Sequence, residues 1–256
     1  MSDPDNALHN DDGASARQLL ARPGFAKLLA YRIFAMLSYQ VVAVTVGWHI
    51  YEVTRNPFSL GLVGLAEVLA FFGVAPFAGY LVDHLPRRRL GMVACAGLVA
   101  TAVVLTGVAT GWLPFQGVWP IYAAIALTGM VRACLSPIYN ALFARVLGRS
   151  QFARGAGLGS VVFQSGMVVG PALGGILVGW GGKGLSYGVA TAFAVVAMGC
   201  LATLKVSEPV HDGPAAPIFK SIAEGARFVV GNRIMVGAMA LDMFSVLLGG
   251  VVAMLP

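Results

Sequence analysis

The chain has 256 residues, 58% of them hydrophobic and 11% charged, with a mean hydropathy of +0.80 and 33 glycines. That composition excludes a soluble helical core, because glycine is disfavoured in soluble helices but common in transmembrane ones, where small side chains let helices approach closely. The net charge of +6 falls in separate clusters between the apolar runs, which argues against a nucleic-acid-binding patch and for loops flanking membrane spans.

Residues 1–24 are polar, carry Asp3, Asp5, Asp11 and Asp12 and hold no apolar run, so a disordered cytoplasmic tail is expected. The first apolar run is too long for a secretory signal and lacks its small-residue cleavage pattern. Six stretches of spanning length follow, at 26–52, 58–83, 89–111, 118–146, 154–180 and 184–205, and a seventh at 234–256 breaks off at Pro256. Since about 20 apolar residues cross a bilayer as a helix, the expected fold is an all-α polytopic membrane protein. Its organisation is a six-helix bundle over 25–205, a cytoplasmic linker over 206–233 and, at 234–256, the first helix of a truncated second bundle. The linker carries Pro209, Pro214 and Pro217, and Phe219 to Val230 has helical periodicity, which predicts an amphipathic helix on the membrane surface. Cys95, Cys134 and Cys200 lie inside apolar runs without ligand-type spacing and read as packing residues.

The basic residues set the expected orientation. With the N-terminus cytoplasmic, the inner segments hold Arg17, Arg22, Lys27, Arg87, Arg88, Arg89, Arg145, Arg149, Arg154, Lys205, Lys220, Arg227 and Arg233, and the outer ones only Arg55 and Lys183. The opposite orientation would invert a strong positive-inside bias. Span two contains Pro76-x-x-Gly79-x-Leu81 and span five Pro171-x-x-Gly174-x-Ile176. The same offset of 95 residues carries span one onto span four and span three onto span six. Because each trio crosses an odd number of times, its copy begins on the other side, giving an inverted repeat.

Span two ends in Gly79-Tyr80-Leu81-Val82-Asp83-His84-Leu85-Pro86-Arg87-Arg88-Arg89-Leu90. This resembles the loop signature of the major facilitator superfamily between its second and third helices. Gly79, Leu81, Asp83, Arg87 and Arg88 match, whereas His84 and Pro86 stand where Arg and Gly are usual. The resemblance implies a conformational switch, in which the carboxylate and its arginine latch to the C-terminal half of a transporter and release as it changes state. Read without it, three arginines after a helix are a positive-inside anchor.

Span five carries Gly166-x-x-x-Gly170-Pro171-x-x-Gly174-Gly175. Three glycines four residues apart make a stripe without side chains on one helix face, and Pro171 removes a backbone donor and permits a bend. The segment is similar to the superfamily's antiporter motif, which implies an exporter. The stripe is expected to pack against a helix of the other half and seal the cavity there. Softer matches, from Phe25-Ala26-Lys27-Leu28 to Gly47-Trp48, then Tyr51-Glu52-Val53-Thr54 and Leu60-Gly61-Leu62-Val63-Gly64, resemble the drug-exporter branch that includes the enterobactin exporters.

Four ionisable residues sit at membrane depth: Arg32, Glu67, Arg132 and Asp242. Each costs at least about 2.5–3.5 kcal/mol at a helix centre and normally turns toward a partner or a wet cavity. Arg132, Ser136 and Asn140 share one face of span four and read as cavity lining. The arginine's position is similar to one on the superfamily's fourth helix, although the residues after it depart from that motif. Glu67 lies at a similar depth in span two, so a Glu67–Arg132 pair and a proton-carrying Glu67 are both expected readings, beside a static ion pair joining two helices. Asp242 is equally deep in span seven, Arg32 is close enough to the cytoplasmic face to snorkel, and Gln40 and Gln164 are hydrogen-bonding candidates in the cavity or between helices.

Together these features favour a proton-coupled secondary transporter in the plasma or inner membrane, exporting a small amphipathic drug or siderophore by alternating access. Its expected partners are that small molecule, protons, the lipid bilayer and a missing C-terminal half, without which the chain is expected to be inactive. No Walker A motif is present. A membrane-embedded enzyme would need clustered His, Asp or Cys near one face, but His9, His49, His84 and His211 are scattered. No catalysis, metal or cofactor is therefore expected. The remaining alternative is a non-transporting membrane scaffold.

Overall fold

The computed structural model describes residues 16–113, 117–206 and 227–252, with side chains through residue 244. It divides into two compact units, Met1–His211 and Asp212–Pro256. In the first, a short helix α1 (Ala16–Leu20) precedes α2 (Pro23–Thr54), α3 (Pro57–His84), α4 (Arg87–Ala109), α5 (Trp119–Val146) and α6 (Phe152–Ala202). In the second, residues 227–231 are helical and α7 spans Arg233–Val252. The rest of the expected surface helix, and residues 253–256 of the expected seventh span, lie outside the described residues.

Local chemistry explains the helix boundaries. Pro23, Pro57 and Pro120 stand in the first turns of α2, α3 and α5, where a missing N–H costs no intrahelical bond. Asn56 caps α3 by accepting the Phe58 N–H at 2.9 Å, and Arg55 ends α2 in the left-handed region at φ 52°. Within the segment expected as tail, Ala16–Leu20 is helical, Leu19 is fully buried and Arg22 donates to Gln151 at 2.8 Å.

Among the described residues, five helices are long and apolar enough to cross a bilayer. The fifth supplies two crossings, because α6 is interrupted at Gly182 (φ 72°, ψ −175°), a conformation open essentially to glycine alone. The contacts on either side prove the reversal. Residues 152–181 (α6a) run parallel to α2, with Gly166 beside Met36 and Gly174 beside Val44. Residues 183–202 (α6b) run antiparallel to it, with Tyr187 on His49 and Ala190 on Ser38. The expected turn between spans five and six thus shrinks to one residue, and six crossings remain.

The six pack as two inverted trios. Helix α2 of the first trio pairs along its length with α6a of the second, and α5 of the second pairs with α3 of the first, as an axis exchanging the trios requires. Burial is uneven: 61% of the spanning window of α2 is buried against 6% of that of α3. Phe58, Leu69 and Phe72 of α3 point outward, an apolar face suited to lipid. Buried polar ties join α2 to α6b. Ser38 Oγ donates to the Ala190 carbonyl at 2.9 Å, and Thr45 meets Ser186 at 2.6 Å. Thr45 already gives its proton to the Val41 carbonyl at 2.7 Å, so Ser186 is the donor of that pair. Cys95 and Cys134 are buried in the core and Cys200 packs against it.

One end of the bundle gathers the basic residues. Arg22, Arg145 and Lys205 line a shared depression of about 540 Å³, and Lys27 donates to the Thr203 carbonyl at 3.1 Å. At the other end, Lys183 pairs with Glu52 at 2.9 Å.

Candidate functional site

The centre of the bundle holds two arginine–aromatic clamps built on α2 and α5. Arg132 of α5 forms an ion pair and hydrogen bond with Glu67 of α3, and its guanidinium lies 4.6 Å from the ring centroid of Tyr39 on α2. The approach of α3 to α5 is set by Gly129, where any Cβ would strike the main-chain carbonyl of Glu67. The pair is partly accessible, with side-chain exposures of 35% for Arg132 and 18% for Glu67. It is therefore neither a fully desolvated bridge nor a surface pair. Sequence reasoning expected this pairing, and the structure brings the two residues together.

The second clamp reverses the first. Arg32 of α2 lies 4.0 Å from the ring centroid of Tyr139 on α5 and 5.1 Å from that of Phe163 on α6a. Helices α2 and α5 run antiparallel, so each presents an arginine to the tyrosine of the other. The sequence carries the signal: Arg32-x6-Tyr39-Gln40 recurs as Arg132-x6-Tyr139-Asn140. The prolines of α3 and α6 give an offset of 95, whereas this pair is offset by 100, so a search at the former misses it. Among the described residues no carboxylate pairs with Arg32.

A cavity of about 40 Å³ adjoins this second clamp, lined among others by Tyr31, Arg32, Tyr39, Ser136 and Tyr139. The hydroxyls of Tyr31 and Tyr139 are buried without a hydrogen-bond partner, a state that costs about 1–3 kcal/mol per group. Gly159 leaves room for the two clamp groups themselves: a Cβ there would come within 2.6 Å of the Tyr139 hydroxyl and 3.3 Å of Arg32 Nη1.

The other expected site residues fall as follows. Ser136 and Asn140 continue the Arg132 face of α5 and are exposed. Gln40 is half-buried and its amide donates to Met167 Sδ at 3.5 Å, while Gln164 is exposed. Asp242 lies on α7, in the second unit. The glycine stripe requires a correction. Cβ atoms on Gly166, Gly170 and Gly174 would meet Met36, Gln40 and Val44, respectively, so the stripe seats α6a on α2 inside the same bundle and not on a helix of another half. Helical periodicity fixes which positions share a face, but the neighbour of that face comes from the tertiary pairing. Gly175 has open space around it, and α6a continues as helix through Pro171.

In the expected switch loop, Gly79 has open space, Asp83 is exposed and Arg87 Nε donates to the Val82 carbonyl at 3.3 Å. Arg88 donates to the carbonyls of Leu201 and Ala202, so the N-terminus of α4 supplies the cation that satisfies the C-terminus of α6b. Among the described residues Asp83 makes no ion pair.

Comparisons with known proteins agree with this architecture. The family model described as Major Facilitator Superfamily matches residues 28–256. The enterobactin exporter EntS of Shigella boydii serotype 18 is 25% identical over 239 residues, covering 92% of this chain and 54% of that protein. Its namesake from Salmonella typhi is 25% identical over 244 residues, covering 92% and 55%. The chain thus spans about half the length of the curated relatives it matches. Among solved structures, the peptide transporter POT in complex with sulfate superposes with a TM-score of 0.59 at 18% identity, over 93% of this chain and 51% of that one, a likeness of fold.

Proposed function

The chain belongs to the major facilitator superfamily, and from that premise we propose that it forms one bundle of a secondary transporter exporting a small amphipathic compound in exchange for protons. The observation that carries this reading is the Glu67–Arg132 pair, a carboxylate and a guanidinium at mid-span on two different helices. A proton arriving at Glu67 removes the negative charge that holds Arg132. The guanidinium then needs another anion or water, and the α3–α5 seam loses its electrostatic tie. Proton binding and bundle rearrangement are coupled through that one bond.

Export, and a drug or siderophore as cargo, rest on the named relatives and on Gly166, Gly170, Pro171, Gly174 and Gly175, which resemble the antiporter motif. In this proposal Arg132, Ser136, Asn140, Gln40 and Gln164 line the substrate path. Asp83 is the latch member free to meet a second bundle, since Arg88 is engaged within its own. The basic end faces the cytoplasm of an inner or plasma membrane, residues 206–233 form the cytoplasmic linker, and α7 opens the second bundle, without which transport does not occur.

Everted vesicles carrying the full-length protein test the reading. An exporter accumulates its substrate in them when the interior is acidified, and Glu67→Gln abolishes that uphill movement while insertion is retained. Accumulation in right-side-out vesicles under an inward proton gradient, with none in everted ones, makes the protein an importer. External labelling of single cysteines should reach residues 111–117 and miss 206–233, and labelling of both ends the topology.

A further inference from the structure

The cavity at the unpaired clamp has the chemistry of an anion subsite. Arg32 brings a full positive charge to membrane depth with no carboxylate beside it among the described residues, although its counterpart Arg132 has Glu67. The Tyr139 hydroxyl is buried beside it without a partner, and Tyr31, whose hydroxyl is likewise buried and unpartnered, lines the same cavity. Three helices converge there, and Gly159 withholds the one Cβ that would crowd the Tyr139 hydroxyl. A cation and two unused O–H donors around one cavity satisfy an acceptor-only oxygen group. The guanidinium would repel an ammonium, and the site would leave a neutral apolar group unrewarded. The volume of about 40 Å³, against about 10–15 Å³ for a single water, suits a carboxylate-sized head group and not a whole substrate.

We infer that Arg32, Tyr31 and Tyr139 bind the anionic oxygen head group of the transported compound, which makes the substrate class organic anions with an apolar body. The word substrate rests on the exporter reading above; the anion site does not. The same chemistry could be met by the phosphate of an anionic lipid, but Ser136, on the polar face of α5 that bears Arg132 and Asn140, also lines this cavity. That continuity with the polar face favours the transported compound.

The test uses the full-length protein in phosphatidylcholine nanodiscs and equilibrium dialysis with radiolabelled benzoate, competed by benzyl alcohol or benzylammonium, which keep the ring and change only the head. Benzoate should bind saturably and resist both competitors. Arg32→Gln should weaken it by about tenfold or more, and Tyr31→Phe and Tyr139→Phe by about threefold each. Arg32→Lys should restore part of the loss, which excludes misfolding as its cause, and Lys183→Gln at the far end should leave binding unchanged. Equal competition by benzyl alcohol, preference for benzylammonium or an unaffected Arg32→Gln overturns the site. Displacement of benzoate when phosphatidylglycerol is added to the disc assigns the cavity to lipid and overturns the substrate claim. Everted vesicles separate the two readings. Benzoate binding that depends on Arg32, with no proton-driven accumulation of any organic anion, sinks the exporter and leaves the site. Proton-driven export undiminished by Arg32→Gln sinks the site and leaves the exporter.

Discussion

The two arginine clamps share one design and differ in one residue. Each sets an arginine from α2 or α5 over a tyrosine from the other, and each stands beside a glycine that lets a neighbouring helix approach, Gly129 for Arg132 and Gly159 for Arg32. Among the described residues only the first has a carboxylate, Glu67. A near-symmetric scaffold therefore holds one cation neutralised and one cation poised. The lesson is that an inverted repeat supplies paired positions, and chemistry differs where one copy gains or lacks a single acid.

The largest expected effect comes from forcing α6a off α2, the helix that contributes to both clamps. At Gly170, a Cβ would already lie 2.6 Å from Gln40 Cβ, so Gly170→Leu drives α6a off α2. Overpacking of this kind costs about 3 kcal/mol, and the thermal midpoint in detergent should fall by more than in any variant below. A folded protein of normal stability with increased proton leak would instead place the stripe against another bundle. Next comes Gly129→Ala, whose new methyl meets the Glu67 carbonyl, a main-chain atom that cannot rotate away. About 2 kcal/mol should be lost, and the Glu67–Arg132 clamp should loosen with it. Unchanged stability would mean that α3 rides freely on α5.

Charge removal separates the clamps more finely. Glu67→Gln leaves Arg132 without its counter-charge, whereas Arg32→Gln removes a cation that has none among the described residues. Loss of one partner from a fully buried pair costs about 3–5 kcal/mol, but with 35% and 18% of the side chains accessible, solvent screening cuts this to about 1–2 kcal/mol. Arg32→Gln should cost less than that or stabilise. The order of the two thermal midpoints decides the matter, and a larger fall for Arg32→Gln would show that its charge is already compensated.

The spans were legible in the sequence because apolar length and basic loops are read residue by residue, and the Glu67–Arg132 pair because two opposite charges at equal depth have few other partners. Arg32 was not. Its distance from the basic end suggests a snorkelling side chain, yet Tyr139 and Phe163, over 100 residues away, hold it inside. The glycine stripe was legible as a face but not as a partner, since periodicity carries no information about which helix lies opposite. The hairpin within α6 was legible as two spans, though its turn is a single glycine whose φ no hydropathy pattern records.

Gly159→Ala should have the smallest effect on folding and is the sharpest test of the difference between the clamps. Its methyl would meet the Tyr139 hydroxyl at 2.6 Å and Arg32 Nη1 at 3.3 Å, which are ends of side chains and not backbone. Both can yield by a few tenths of an ångström, and alanine recovers up to about 1 kcal/mol of helix propensity over glycine. Net stability should therefore stay within about 1 kcal/mol of the parent. The methyl nevertheless occupies space beside the cavity and pushes on the two groups assigned to the anion. Benzoate binding should weaken about as much as in Tyr139→Phe, while the thermal midpoint hardly moves. Gly129→Ala should show the opposite, a lowered midpoint with benzoate binding preserved in the protein that remains folded. If both alanines reduce stability and binding together, the clamps form one mechanical unit, and the distinction between a neutralised cation and a poised one is lost.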